Sequence, residues 1–286
     1  MKFQTLILFT RTPLHVGAGN SVGVVDSPVM RERHTRTPII PGSSLKGVLA
    51  DLWNGDAGSF TDKKKRDGEL KALFGSDDDA TASSGALLVG EARALAFPLR
   101  SAKGGFAWIT SPHALRKFAR DTGKTLPALP KIADGKCLAT KESDVVVAGK
   151  NAVVLEEYKL DKAGDVPADV LDALKALHDD VVWKEVARRL VVVNDELFSY
   201  FVENACEVVT RIRVSDETGT VVQGQLFNLE QVPSETLFYA LVGDAEKKNA
   251  PDALAKLADK LGTVGNVIQI GGDATIGLGF CAVKLV

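Results

Sequence analysis

Apolar positions along the chain fall into short runs of two different periods. Residues 3–10 are strand-forming and predict a first strand, which runs into a glycine-bearing loop over residues 15–20. Residues 21–42 show no helical period and carry Pro28, Pro38, Pro41 and a cluster of charges. They predict a long loop with short extended pieces, the kind of segment that carries function. Leu45, Val48, Leu49, Leu52 and Trp53 then recur at helical spacing, so a helix follows, capped by Ser43 or Ser44. Residues 55–85 are polar and hold both a basic run (Lys63 to Arg66) and an acidic one (Asp77 to Asp79), a solvated insertion.

Further on, residues 86–97 and 105–110 predict strands around a glycine turn, and Ser111 with Pro112 caps a helix that places Leu115, Phe118 and Ala119 on one face. Residues 121–165 have no clear period and read as irregular. Helices are predicted over 166–178 and 182–190, and Asn194 with Asp195 caps a short one through Phe201. Two β-rich arms, 207–214 and 220–226, flank a turn of hairpin composition. A strand at 236–242, a helix at 252–261 and strands at 266–270 and 280–286 complete the chain. This order predicts an α+β fold, a sheet with helices on one face, compatible with a ferredoxin-like (RRM-like) core carrying large insertions.

Composition narrows the function. The chain has 286 residues, 45% of them hydrophobic, with 35 Lys+Arg against 37 Asp+Glu. That excludes a disordered chain and a uniformly basic nucleic-acid coat. Charge is unevenly placed, however: up to residue 50 the six cations Lys2, Arg11, Arg31, Arg33, Arg36 and Lys46 face only Asp26 and Glu32. Any RNA-facing side should therefore be local, with surplus acid elsewhere. Aromatics are 6%, which favours backbone contacts over base stacking. Cys137, Cys206 and Cys281 form no CxxC pair and predict free thiols in a cytoplasmic protein. Neither a signal peptide nor a membrane span is predicted.

Four stretches could carry chemistry. Asp26 lies in the basic loop, where an acid can bind a divalent metal or move a proton, with His15 and His34 as candidate acid–base groups; each also reads as a salt bridge or loop cap. Ser43, Ser44 and Lys46 at a helix start can hold a phosphodiester or form a plain capped helix. The glycine-rich stretch with Gly271, Gly272, Thr275 and Gly277 is an anion nest or a tight hairpin. Arg211 and Arg213 alternate on one face of the hairpin. No protease triad order, HExxH, kinase motif or P-loop is present.

The strings HVGAGNSVGVVDSPVMRERHT and PIIPGSSLKGVLADLW, followed by FPLRSAKGGFAWITSPHALRKF, NDELFSYFVENACEVVTRIRV, LEQVPSETLFYALV and IQIGGDATIGLGF, together resemble one family. It is the backbone-subunit family of type III-B CRISPR (Cmr) effector complexes, within the RAMP superfamily. The resemblance implies one palm of modified RRM fold over 1–286, insertions at 55–85 and 121–200, and a thumb hairpin at 205–226. It implies several copies stacked as a filament on a guide crRNA, with other Cmr subunits, cutting complementary target RNA at regular intervals with Mg2+ or Mn2+. Asp26 falls on the family's catalytic, metal-linked aspartate, and His15 and Glu230 fall on residues implicated in cleavage. Before Glu230, residues 226–229 are less acidic than the family pattern. RNA contacts are expected from Ser43, Ser44, Lys46 and Arg31, from Arg211 and Arg213 at the thumb, and from Gly271, Gly272, Thr275 and Gly277. The competing readings are a non-cleaving crRNA-binding backbone subunit, a metal-independent endoribonuclease processing CRISPR transcripts through His15 or His34, and a small-molecule enzyme with a closed apolar pocket.

Overall fold

The computed structural model describes residues 1–19, 25–53, 68–76, 82–215, 217 and 219–286, and of 213, 214 and 221–225 the backbone alone. The charge runs at 63–66 and 77–79, and the side chain of Arg213, lie outside the described residues. The first elements are β1 (Lys2–Thr10), β2 (Ile39–Ile40), α1 (Gly42–Asp51), α2 (Gly68–Phe74), β3 (Leu87–Val89), β4 (Ala92–Ser101), β5 (Gly105–Thr110) and α3 (Pro112–Thr122). Next come β6 (Lys136–Ala139), β7 (Ala152–Leu155), β8 (Tyr158–Asp165), α4 (Ala168–Lys175), α5 (Val186–Arg189), β9 (Leu190–Val192) and α6 (Asp195–Asn204). The rest are β10 (Glu207–Val214), β11 (Val221–Gln231), β12 (Leu237–Asp244), α7 (Ala253–Thr263), β13 (Val267–Gln269) and β14 (Phe280–Leu285).

The fold mixes helices with one large sheet, ordered β13-β14-β1-β12-β4-β5-β9-β6-β8-β7. Its first part is antiparallel throughout: β1 pairs with β14 and β12, and β12 pairs with β4. The crossovers β1-α1-β4 and β12-α7-β14 each skip one strand. At the far end β7 returns to β4 through Ser101 and Leu155, so six strands close into a barrel-like ring. β10 and β11 form a two-stranded sheet of their own.

Both faces of β1 are buried, which explains its unbroken apolar run. Leu6 and Leu8 pack with Leu45 and Leu49 of α1 and Leu257 and Leu261 of α7. Ile7 and Phe9 pack on the other face with Phe118 of α3, Leu174 of α4 and Trp183. The expectation of helices on one face is thus corrected: alternating apolar side chains on both sides demand two covers. The second cover comes from residues 112–192. Residues 121–165 are not irregular, since they contain β6, β7 and β8: β7 and β8 pair as a hairpin, and β6 is held between β8 and β9, partners distant in sequence. The helix predicted over 182–190 is a 3-10 turn at Trp183–Glu185 and the single turn of α5, because Leu190 already pairs with Trp108 of β5.

Local capping is partly as predicted. Ser111 accepts from the Ala114 N–H with Pro112 in the first turn, and the Asn194 side chain accepts from the Leu197 N–H. At α1 the cap is Pro41, without a side-chain hydrogen bond, in place of Ser43 or Ser44. Gly42, the first helical residue, lies so close under the Val89 carbonyl that a β-carbon there would be 2.7 Å from the oxygen. No helix among the described residues is long and apolar enough to cross a membrane.

Trp183 is fully buried, donates from Nε1 to the Leu174 carbonyl at 3.0 Å, and meets the Phe9 and Trp108 rings edge-on. Trp183→Ala should therefore cost about 3–5 kcal/mol, measured by denaturant unfolding. Glu235 offers a pH test. Its backbone is left-handed at φ 67°, and its N–H donates to the Thr10 carbonyl at 2.7 Å. Its Oε2 is buried without a hydrogen-bond partner among the described residues. Burial, reinforced by Asp180 and opposed by Arg11, pushes the carboxyl up to about 7. A raised carboxyl stabilises the fold below its unfolded value, and that contribution is lost as pH rises from about 4.5 through about 7. Glu235→Gln should gain about 1 kcal/mol over wild type above pH 8 and nothing at pH 4, the half-buried site discounting the full shift. Thermal melts across pH read the difference.

Candidate nucleic-acid interface

His15 follows β1 and is placed by a two-way backbone pairing of Leu14 with Val232, 2.8 Å in each direction. The side chain is 7% exposed. Its Nδ1 lies 2.7 Å from the Glu230 carbonyl oxygen. A carbonyl only accepts, so Nδ1 carries the hydrogen, and in the neutral ring Nε2 keeps its lone pair. The Ser27 hydroxyl, 3.2 Å away, is placed to donate to that lone pair. The glycine loop closes over the same residue: the Gly272 N–H donates to the His15 carbonyl at 3.0 Å. Gly271 has φ 83°, and a β-carbon there would fall 2.2 Å from that oxygen. Glycine is demanded here by close approach as well as by the backbone angle.

Residues 26–29 run beside the root of β11 like an added strand. The Ser27 N–H donates to the Asn228 carbonyl at 3.1 Å, and the Glu230 N–H donates to the Ser27 carbonyl at 3.0 Å. The Asn228 N–H donates to Asp26 Oδ2 at 2.7 Å. Asp26 is exposed, so its carboxylate is oriented by one backbone hydrogen bond while still open to solvent. Asp26, His15 and Glu230 all border residues 26–29 and the root of β11, and their environments differ. Glu230 Oε2 accepts from the Val29 N–H at 2.8 Å and Oε1 from Arg31 Nη2 at 2.5 Å, and the side chain is 11% exposed. Arg31 also donates to the carbonyls of Arg36 and Val202, each at 2.8 Å, and of Glu203 at 3.3 Å. Its side chain, 5% exposed, faces protein acceptors.

The hairpin and the glycine loop touch through Arg211 of β10, whose Nη1 lies 3.4 Å from Asp273 Oδ2. The hairpin exposes Val208, Val209, Ile212, Leu226 and Phe227. Thr275 is exposed on a 3-10 turn at Ala274–Ile276, and Gly277 follows at φ 87°. Ser43 is exposed, and Ser44 and Lys46 are half-buried, on the first turn and a half of α1. No hydrogen bond or ion pair among the described residues links these three to Asp26 or His15. His34 stands apart: it is exposed, 3.6 Å from Glu32, and lines a cavity of about 270 Å3 bordered by α3 and α6. Neither Asp26 nor His15 lines that cavity.

Ser27, Asn228 and Asp273 are the parts that sequence reasoning missed. Ser27 could have been found as the neighbour of Asp26. The Asn228 contact is made by a backbone N–H, which no residue type announces.

Comparison with known proteins shows the family and the fold. The RAMP superfamily model matches residues 8–282. The CRISPR system Cmr endoribonuclease Cmr4 of Pyrococcus furiosus is 36% identical over 296 aligned positions, spanning 100% of this chain and 96% of its own. The crystal structure of oligomeric Cmr4 from Pyrococcus furiosus superposes with a TM-score of 0.73 at 30% identity, covering 100% of this chain and 98% of that one. A chain of the type III-B Cmr-beta complex bound to cognate target RNA superposes at 0.74 with 18% identity, covering 100% and 97%, which shows the same fold. The chain therefore belongs to the RAMP superfamily and, within it, to the Cmr4 endoribonuclease family.

Proposed function

We propose that this chain is the repeated backbone subunit of a type III-B CRISPR ribonucleoprotein. It holds crRNA, stacks with copies of itself and other Cmr subunits, and cuts target RNA paired with the guide. The observation that carries the reading is Asp26: an exposed carboxylate oriented at the root of a projecting hairpin, beside a buried His15, in a chain with full-length similarity to an endoribonuclease. The strand order β14-β1-β12-β4 with its two split crossovers supports a ferredoxin-like palm. In that reading β10–β11 is the thumb. Because both sheet faces are covered, RNA meets the loops and helix ends and leaves the sheet face alone. Three buried free thiols fit a reducing cytoplasm.

The chemistry follows from the site. The apolar thumb residues Ile212, Leu226 and Phe227 lie against bases that the hairpin unstacks. One linkage then leaves A-form geometry, and its 2′-hydroxyl lines up with the neighbouring phosphorus. The Ser27 hydroxyl rotates away, and His15 Nε2 accepts the 2′-hydroxyl proton. Nδ1–H stays on the Glu230 carbonyl and steadies the imidazolium. As the P–O bond breaks, water protonates the departing 5′ oxygen, giving a 2′,3′-cyclic phosphate and a 5′-hydroxyl. No group of three metal-ligating side chains occurs among the described residues. Asp26 as a lone carboxylate still fits a hard cation such as Mg2+ or Mn2+, which takes one or two carboxylates and completes its shell with phosphate and water. When bound, such an ion supplies positive charge to the phosphate. Guide phosphates are gripped by the open first turn of α1, Lys46 and the glycine-loop amides.

Two tests follow. Asp26→Asn keeps an oxygen for the Asn228 N–H, so the loop should stay in place. Cleavage of complementary RNA by the assembled complex should fall about 100-fold or more, with crRNA binding unchanged. Regularly spaced cutting by that variant, or by wild type in EDTA, would remove Asp26 or the metal from the reading. Gly271→Ala should cost at least about 2 kcal/mol in thermal unfolding, since a side chain at positive φ also strikes the His15 backbone, and cleavage should weaken with it.

A further inference from the structure

We infer that Arg31 is a positioning residue for cleavage: it fastens both roots of the thumb hairpin to the loop carrying Asp26, and so sets where the cut falls. This rests on the reading of Asp26 given above and extends it to a side chain that faces only protein.

The thumb is a separate two-stranded sheet, so its orientation depends on its attachments. Its first root is α6, which runs through residues 205–206 into β10. The last carbonyls of a helix lack partners within it, and two of these, from Val202 and Glu203, receive Arg31 Nη1 and Nη2. The second root is β11, where Glu230 receives Nη2 at 2.5 Å. The loop itself closes on the same guanidinium through the Arg36 carbonyl. Val29, two residues earlier, is tied to the other oxygen of Glu230. Three segments therefore meet at one planar cation.

Only a guanidinium can do this. Its five N–H donors lie in a fixed fork, whereas an ammonium is a point charge with three. Glu230 is then part of the same fastening: both its oxygens are engaged by Arg31 and Val29, and its carbonyl orients His15. The thumb selects which target linkage is opened, and Asp26 must arrive at that linkage. Register between the two is what the Arg31 web maintains.

The test is Arg31→Lys in the assembled ribonucleoprotein, with wild type and Asp26→Asn alongside. Lysine keeps a cation for Glu230 but cannot reach all the carbonyls. Expected are unchanged crRNA content, cutting about tenfold slower or more, and product ends scattered over neighbouring nucleotides. Sharp ends at the wild-type positions, at any rate of cutting, overturn the inference, because a purely structural role lowers yield without moving the cut. If Arg31→Lys does not assemble, Arg31→Gln, with a planar amide, is judged by the same product ends. Failure of wild type to cut complementary RNA would overturn the underlying reading instead.

Discussion

The buried ion pair of Arg31 with Glu230 is the contact on which the functional region depends. Both side chains are nearly excluded from water, and removing one partner of such a pair costs about 3–5 kcal/mol because the other charge is stranded. The desolvation is offset by saturation. Every oxygen of the carboxylate and several donors of the guanidinium find partners, among them helix-end carbonyls that would otherwise lie unpaired. Residues 26–29, the end of α6 and the root of β11 are consequently one unit. The exposed carboxylate of Asp26 and the lone pair of His15 Nε2 inherit fixed positions from it.

A second constraint is the double-sided sheet. Covering the face opposite α1 and α7 takes α3, α4 and the Trp183 cluster, all from the middle of the chain. That cover leaves no open sheet face as a platform for bases. The loop after β1, the start of α1, the glycine loop and the hairpin are what the rim of the sheet offers. Among them, Arg211 with Asp273 joins the hairpin to the glycine loop, and Gly272 with His15 joins the glycine loop to the loop after β1.

Charge along the chain proved a poor guide to charge in space. The cation-rich first fifty residues suggested an RNA-facing surface, yet Arg11, Arg31 and Arg36 pair with Asp180, Glu230 and Glu203, acids more than a hundred residues away. Counting a local excess finds where cations are made, and folding decides which of them keep a free face. Lys46, half-buried on α1, is a better candidate for phosphate than the buried Arg31.

Elements held by local physics were legible from residues alone. Ser111 with Pro112, Asn194, the stripe of α1, the hairpin arms and the apolar run of β1 each depend on neighbours within a few positions. The grouping of Asp26, His15 and Glu230 as cleavage residues came only through family resemblance. Three things needed the tertiary structure. The short strand β6 exists because β8 and β9, distant in sequence, complete its hydrogen bonds. The first residue of α1 must be a glycine because the Val89 carbonyl leaves no room for a β-carbon beside it. The roles within the site, an exposed acid, a histidine of defined tautomer and a sealed Arg–Glu pair, were set by backbone carbonyls and N–H groups brought from two hundred residues away, and such groups are present at nearly every position and distinguished by none.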